Sequence, residues 1–196
     1  MATTTPNYGW DVPTSSDYVK QGAVAIETLG DDIDASLFSI TSGKNVGLVH
    51  LLSTSWGTQT NVSIDNIFTS QFLNYYVVGN FIAPGGASCQ IRLRNSGGDL
   101  VNNYVNNVSS QGGDNRHENG YTANWQNSYF NQSAFHFQFN LLSPFASEKT
   151  VIIGSGYADN TLDLVGGQYT PTTSATGFTL FGGFTSGKMK IYGCKD

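Results

Sequence analysis

The strictest pattern in the chain runs from Phe135 to Leu141, where Phe135, Phe137, Phe139 and Leu141 interleave with His136, Gln138 and Asn140. Successive side chains of a strand point to opposite faces, so this pattern fits a strand with one face in a core and the other in water, and it fits no helix. Cys89-Gln-Ile-Arg-Leu-Arg94 repeats the period, as do Met189 and Ile191 between Lys188, Lys190 and Tyr192. Further strands are expected at Val46 to Ser53, Asn61 to Asp65, Asn74 to Ala83, Tyr121 to Tyr129, Lys149 to Ser155, Thr161 to Tyr169 and Gly177 to Phe181. Gly and Pro pairs separate them, as at Pro84-Gly85-Gly86 and Gly166-Gly167. Short strands with regular turn signals and no intervening helix predict an all-β domain, a jelly-roll-like antiparallel β-sandwich over residues 44–196. The stretch from Asp99 to Gly120 is rich in Asn and Gly, and it is expected to be an excursion between strands.

Composition agrees with this class. Only 12% of the residues are charged, against about 25% in an ordinary soluble domain. Solubility then rests on Asn, Gln, Ser, Thr and Gly, which suit a surface of strands and turns.

Two segments precede the sandwich. Residues 1–16 hold Pro6 and Pro13 with the aromatics Tyr8 and Trp10, a mixture that excludes a regular helix and reads as an extended arm. Its aromatics need burial, so Pro6, Tyr8 and Trp10 either anchor the arm to a partner or fold it back on its own domain. Residues 17–43 hold one short α-helix and a linker. Val19, Ile26 and Ile33 recur every seventh position, with Leu29 and Leu37 beside them, and Ser15, Ser16 or Asp17 is expected to cap the start. Gly22 and Gly30 weaken the helix by about 1 kcal/mol each relative to Ala, so its apolar stripe must pack on something. A β-branched residue every seventh position fits a coiled-coil seam of trimers or higher oligomers, with Val19, Ile26, Leu29, Ile33 and Leu37 as the oligomerisation set. The alternative is a helix lying across an open end of its own sandwich.

The net charge of -5 and the scattered Lys and Arg residues offer no footprint for nucleic acid. No segment has the roughly 20 apolar residues of a membrane span, and the opening MATTTPNYGWDV lacks the marks of a signal peptide. The expectation is a product made in the cytoplasm, with no membrane insertion. Cys89 and Cys194 match no metal or redox spacing and are read as buried thiols.

The ingredients of catalysis are thin. His50, His117 and His136 and the glutamates Glu27, Glu118 and Glu148 form no metal-ligand spacing, and Gly154-Ser155-Gly156 lacks the geometry of a nucleophile elbow. Asp114, His117 and Glu118 read as a solvated loop, and Asp31, Asp32 and Asp34 as an exposed helical face. No enzyme activity, cofactor or metal is expected. Glycan contact is a separate candidate, because β-sandwiches hold sugars with aromatics and amides. Its residues are Tyr121, Asn124 and Trp125, with Trp56 a further option and a core position the alternative for either tryptophan.

The opening TTPNYGWDVPTSSDYVKQGAVAIETLGDDID resembles the start of many small structural and fibre-like proteins of tailed bacteriophages, where such an arm leads into a helix. The segment Val62 to Tyr75 with Ile91 to Arg94 is similar to strands of a domain in the same group, and the closing FTLFGGFTSGKMKIYGCKD resembles its last strand. Asp99 to Gln132 is unmatched. The resemblance implies a place on the virion surface, a homotrimer, contacts with other capsid or tail proteins and no cofactor. Fibre proteins with such openings carry long linkers between helix and terminal domain, whereas here the linker is short. That favours a capsid decoration or short head or tail appendage, docked by its arm with the sandwich outward. The alternative is a tail-fibre module that binds a host surface glycan.

Overall fold

The computed structural model describes residues 3–6, 9–15, 18–41, 47–83, 88–96, 98–110, 115–122, 125–129, 134–158 and 161–195. The chain divides into two compact units, Met1–Val46 and Gly47–Asp196.

In the first unit the expected extended arm is present as two short extended strands folded into a hairpin. Strands β1 (Thr3–Thr4) and β2 (Asp11–Val12) pair antiparallel. The Thr5 N–H donates to Trp10 O at 2.9 Å, and the Trp10 N–H donates to Thr5 Oγ1 at 3.0 Å. Gly9 takes a φ of 68°, a left-handed turn conformation that Gly adopts without a Cβ clash. The ribbon's second strand packs on helix α1 (Val19–Thr41). A Cβ at Gly22 would lie 4.0 Å from Pro13 Cβ, and Ala25 is buried one turn on. Gly22, which weakens the helix locally, therefore lies with Ala25 on the side that the ribbon approaches. Of the expected caps, Ser16 and Asp17 lie outside the described residues.

The second unit is the expected jelly-roll-like antiparallel sandwich. Its strands are β3 (Gly47–Trp56), β4 (Gln59–Ile64), β5 (Asn74–Ile82), β6 (Ser88–Asn95), β7 (Gly98–Asp99), β8 (Tyr104–Ser110), β9 (Asn115–Thr122), β10 (Trp125–Tyr129), β11 (Phe135–Leu142), β12 (Thr150–Ala158), β13 (Thr161–Tyr169), β14 (Gly177–Phe184) and β15 (Ser186–Lys195). One sheet has eight strands in the order β3-β15-β5-β11-β12-β13-β8-β9. The other has five, ordered β10-β6-β14-β4 with β7 beside β6.

The alternating phenylalanines fill the space between the sheets. Phe135, Phe137, Phe139 and Leu141 are all buried, with Tyr75, Val77 and Phe81 beside them and Ile91, Leu93, Phe178 and Leu180 opposite. Phe139 meets Phe178 edge-on at 5.9 Å between centroids, and Phe81 meets Phe184 at 5.0 Å, so aromatic pairs bridge the two layers. Glycines stand where these rings need room. Gly79 pairs with Phe137, and a Cβ there would come within 2.7 Å of Phe137 Cζ and 2.8 Å of Met189 Cβ.

Two expectations are corrected. The Asp99 to Gly120 region is not an excursion, because β8 and most of β9 lie in it and extend the larger sheet. Tyr104 and Asn106 are the buried residues among the described side chains of β8, and the sequence Tyr-Val-Asn-Asn-Val-Ser-Ser lacks the apolar alternation that announces a strand, so pairing rests on backbone hydrogen bonds to β13. Tyr121 to Tyr129 is not one strand. The chain ends β9 at Thr122 and enters the opposite sheet at Trp125.

Candidate interaction surfaces

Trp125 is not a sugar platform. Its side chain is fully buried (0% exposed) at the start of β10, edge-on to Tyr104 at 4.9 Å between centroids. A Cβ at Gly167 would come within 2.9 Å of its Cδ1, so the large sheet leaves a glycine-shaped space for the indole. Asn124 lies outside the described residues, as does the side chain of Tyr121 on β9. Trp56 also turns toward the core, half-buried against Phe184 at 5.9 Å.

Among the anchoring residues, Pro6 is exposed in the hairpin turn and Trp10 is half-buried; Tyr8 lies outside the described residues. Within the oligomerisation set, Val19 is 92% exposed, Ile26 61%, Ile33 38% and Leu37 55%. At 3.6 residues per turn these four fall within roughly 40° of one another, a single narrow stripe. Leu29 is half-buried and sits roughly 40° to 80° further round, on the side of Ala25. The proposed set therefore divides: Leu29 flanks the side that receives the ribbon, and the other four form an exposed stripe beside it.

The outer face of the eight-stranded sheet brings together polar and aromatic residues from strands distant in sequence. The Tyr76 hydroxyl donates to Gln138 Oε1 at 2.7 Å, and Gln138 Nε2 donates to Ser155 Oγ at 3.2 Å, a chain of side chains crossing β5, β11 and β12. Tyr192 lies 6.2 Å from Tyr76 and 5.5 Å from His50 between ring centroids. Two depressions adjoin on this face. One, of about 380 Å³, is lined by Ser53, Ser55, Asn80, Lys188 and Lys190, and the other, of about 250 Å³, by His136, Gln138, Ser155, Tyr157 and Leu162. Val78 and Gly79 belong to both. His136, Lys188 and Lys190 were legible in the sequence as outward residues, and Gln138 as their neighbour in period. Their assembly into one surface depends on the register β15-β5-β11-β12, which no local pattern encodes.

Among the described residues a charged cluster lies elsewhere, on the five-stranded sheet. Arg94 Nε bonds Asp65 Oδ1 at 2.8 Å, and its Nη1 bonds Asp99 Oδ1 at 2.6 Å, Thr179 Oγ1 at 3.0 Å and Ser63 Oγ at 3.2 Å. The hydrogen bond to Asp65 leads the causes that hold the guanidinium above its ordinary pKa, ahead of the opposing effect of burial. Its Nε and Nη1 donors are committed to protein partners, which makes it a fastener for the sheet. Among the described residues no three His, Cys, Asp or Glu side chains gather as a metal site requires, and no helix is long and apolar enough to cross a membrane. Compared with known protein families, with curated proteins and with solved structures, the chain matches none of them.

Proposed function

We propose that the chain is a non-enzymatic structural subunit of a bacteriophage particle, a capsid decoration or short appendage that trimerises through α1 and presents its sandwich outward. The observation that carries this reading is the exposed stripe of Val19, Ile26, Ile33 and Leu37. Burying a Val, Leu or Ile side chain stabilises by about 1.5 to 3 kcal/mol, so four of them left in water on one helix represent a large unused driving force. The seven-residue spacing of three β-branched residues is the form in which parallel helices of a second and third copy receive each other. The hairpin fits the same scheme, because it covers the Ala25 side of the helix and leaves the stripe open. The virion as the place of assembly rests on the resemblance of the chain's two ends to phage structural proteins.

Sedimentation of the full chain beside the Ile26→Asp, Ile33→Asp double variant tests the assembly. A trimer that becomes a monomer with unchanged far-UV circular dichroism is expected; a monomer in both proteins removes the bundling. Immunogold microscopy of phage particles with antibody to the sandwich tests the location. Label on the capsid supports decoration, label confined to the tail supports host attachment, and particles without label overturn the virion reading.

A further inference from the structure

We propose that the outer face of the eight-stranded sheet binds an acidic polysaccharide, laid across β15, β5, β11 and β12 with its carboxylates toward Lys188 and Lys190. Charge is the first argument. The chain carries 14 Asp and Glu against nine Lys and Arg, yet the outward positions of β3, β15, β5, β11, β12 and β13 hold no carboxylate. Asp163, the acidic residue within these strands, is buried on the inner face. A protein of net charge -5 repels polyanions as a whole, so this face is locally inverted, with the exposed Lys188 and Lys190 of β15 on the rim of the larger depression.

The remaining chemistry selects a glycan among anionic partners. Two lysines are too few to hold a nucleic-acid backbone, which is bound by neutralising many phosphates. Tyr76, Tyr157 and Tyr192 offer rings with polar tips, and Asn80, Gln138 and Ser155 offer amide and hydroxyl groups that both donate and accept, as sugar hydroxyls require. Gln138 is already held between Tyr76 and Ser155, so its amide is oriented before a ligand arrives. The two depressions are open and share Val78 and Gly79 in their lining. From β15 to β12 is three inter-strand steps, about 14 Å, room for several consecutive sugar rings. The surface uses no residue of the N-terminal unit and does not depend on the proposed trimer.

Affinity electrophoresis of the full chain through gels holding polygalacturonate, alginate, hyaluronan or polysialic acid, with neutral dextran as control, tests the proposal. Retardation by at least one acidic polymer and not by dextran is expected, weakening as salt is raised. The Lys188→Ala, Lys190→Ala variant should lose at least tenfold in apparent affinity, whereas Lys20→Ala on the helix should lose none. Retardation by none of the four polymers, equal retardation by dextran, or an equal loss in Lys20→Ala overturns it. Running the Ile26→Asp, Ile33→Asp protein in the same gels separates the two readings. Retardation of that variant shows the sheet site acting alone, whatever the state of the helix.

Discussion

Tyr104 and Trp125 stand edge-on across the two sheets, and the Tyr104 hydroxyl closes the same corner by donating to Leu100 O at 2.6 Å while accepting from the Leu93 N–H at 3.0 Å. Both side chains are fully buried, and the hydroxyl ties β8 to β6 at this point. Removing it in Tyr104→Phe leaves the buried Leu93 N–H and the partly buried Leu100 carbonyl short of a partner, at a cost of about 1 to 3 kcal/mol. Trp125→Ala opens a cavity beside it and should cost about 3 to 5 kcal/mol. Urea denaturation followed by tyrosine and tryptophan fluorescence measures both. If Trp125→Ala kept its stability and lost only ligand binding, the core assignment of this residue would be wrong.

The glycines of the inner face give a second prediction. A methyl at Gly79 would meet Lys188 O, Phe137 Cζ and Met189 Cβ together, and the first of these is backbone that cannot rotate away. Gly79→Ala should therefore destabilise by about 1 to 3 kcal/mol, as overpacking does, although alanine ordinarily favours the folded state over glycine. Gly166, whose added Cβ would meet nothing within 4 Å, is the control, and Gly166→Ala should be close to neutral. Chemical denaturation of the pair decides whether space or chain entropy governs these positions.

What could be read from the sequence follows the period. β11, β6 and β15 were legible because apolar and polar residues alternate over Phe135 to Leu141, Cys89 to Arg94 and Lys188 to Ile191, and the structure buries the residues so marked, such as Phe137, Ile91 and Met189. β8 and β9 were not legible, since an edge region built on Asn, Gly and Ser carries its pairing in the backbone. Trp125 was ambiguous for a different reason. A tryptophan beside Asn and Gln looks the same in sequence whether it lines a groove or a core, and the deciding residue, Gly167, lies on another strand of another sheet. The outer sheet face has the same difficulty: Tyr76, Gln138 and Ser155 touch only because three strands share one register.

Arg94 supplies a third prediction. Asp99 is mostly buried beside it and also accepts from Thr179 at 2.7 Å, whereas Asp65 is more than half exposed. Water screens the Asp65 pair, so the Asp99 pair should carry the larger share of the coupling. A double-mutant cycle reads this directly. Arg94 with Asp99 should couple by about 1 to 3 kcal/mol, and Arg94 with Asp65 by under about 1 kcal/mol. Equal couplings would show that the surface pair is as well shielded as the buried one.

Cys89 makes the pH dependence testable. Its thiol is buried in the core at the β6 to β10 pairing, and that burial pushes its pKa up from 9.0 to about 12. The folded protein thus holds a proton that the unfolded chain releases above pH 9.0. A group whose folded pKa is raised gives stability that is complete below its unfolded pKa and is lost as pH rises toward the folded one. Stability should accordingly be flat with respect to this group below pH 9.0 and fall from there toward pH 12, at a limiting slope of about 1.4 kcal/mol per pH unit. Tyr104 acts in the same direction above pH 10.0, because burial raises its pKa too. Comparison with Cys89→Ala isolates the thiol: the variant starts less stable through lost packing, yet its stability should decline less steeply between pH 9.0 and the onset of tyrosine ionisation. Urea denaturation of both proteins across that interval is the measurement. Parallel curves would mean that the thiol ionises in the folded state as readily as in the unfolded one, and that Cys89 is not sealed from water.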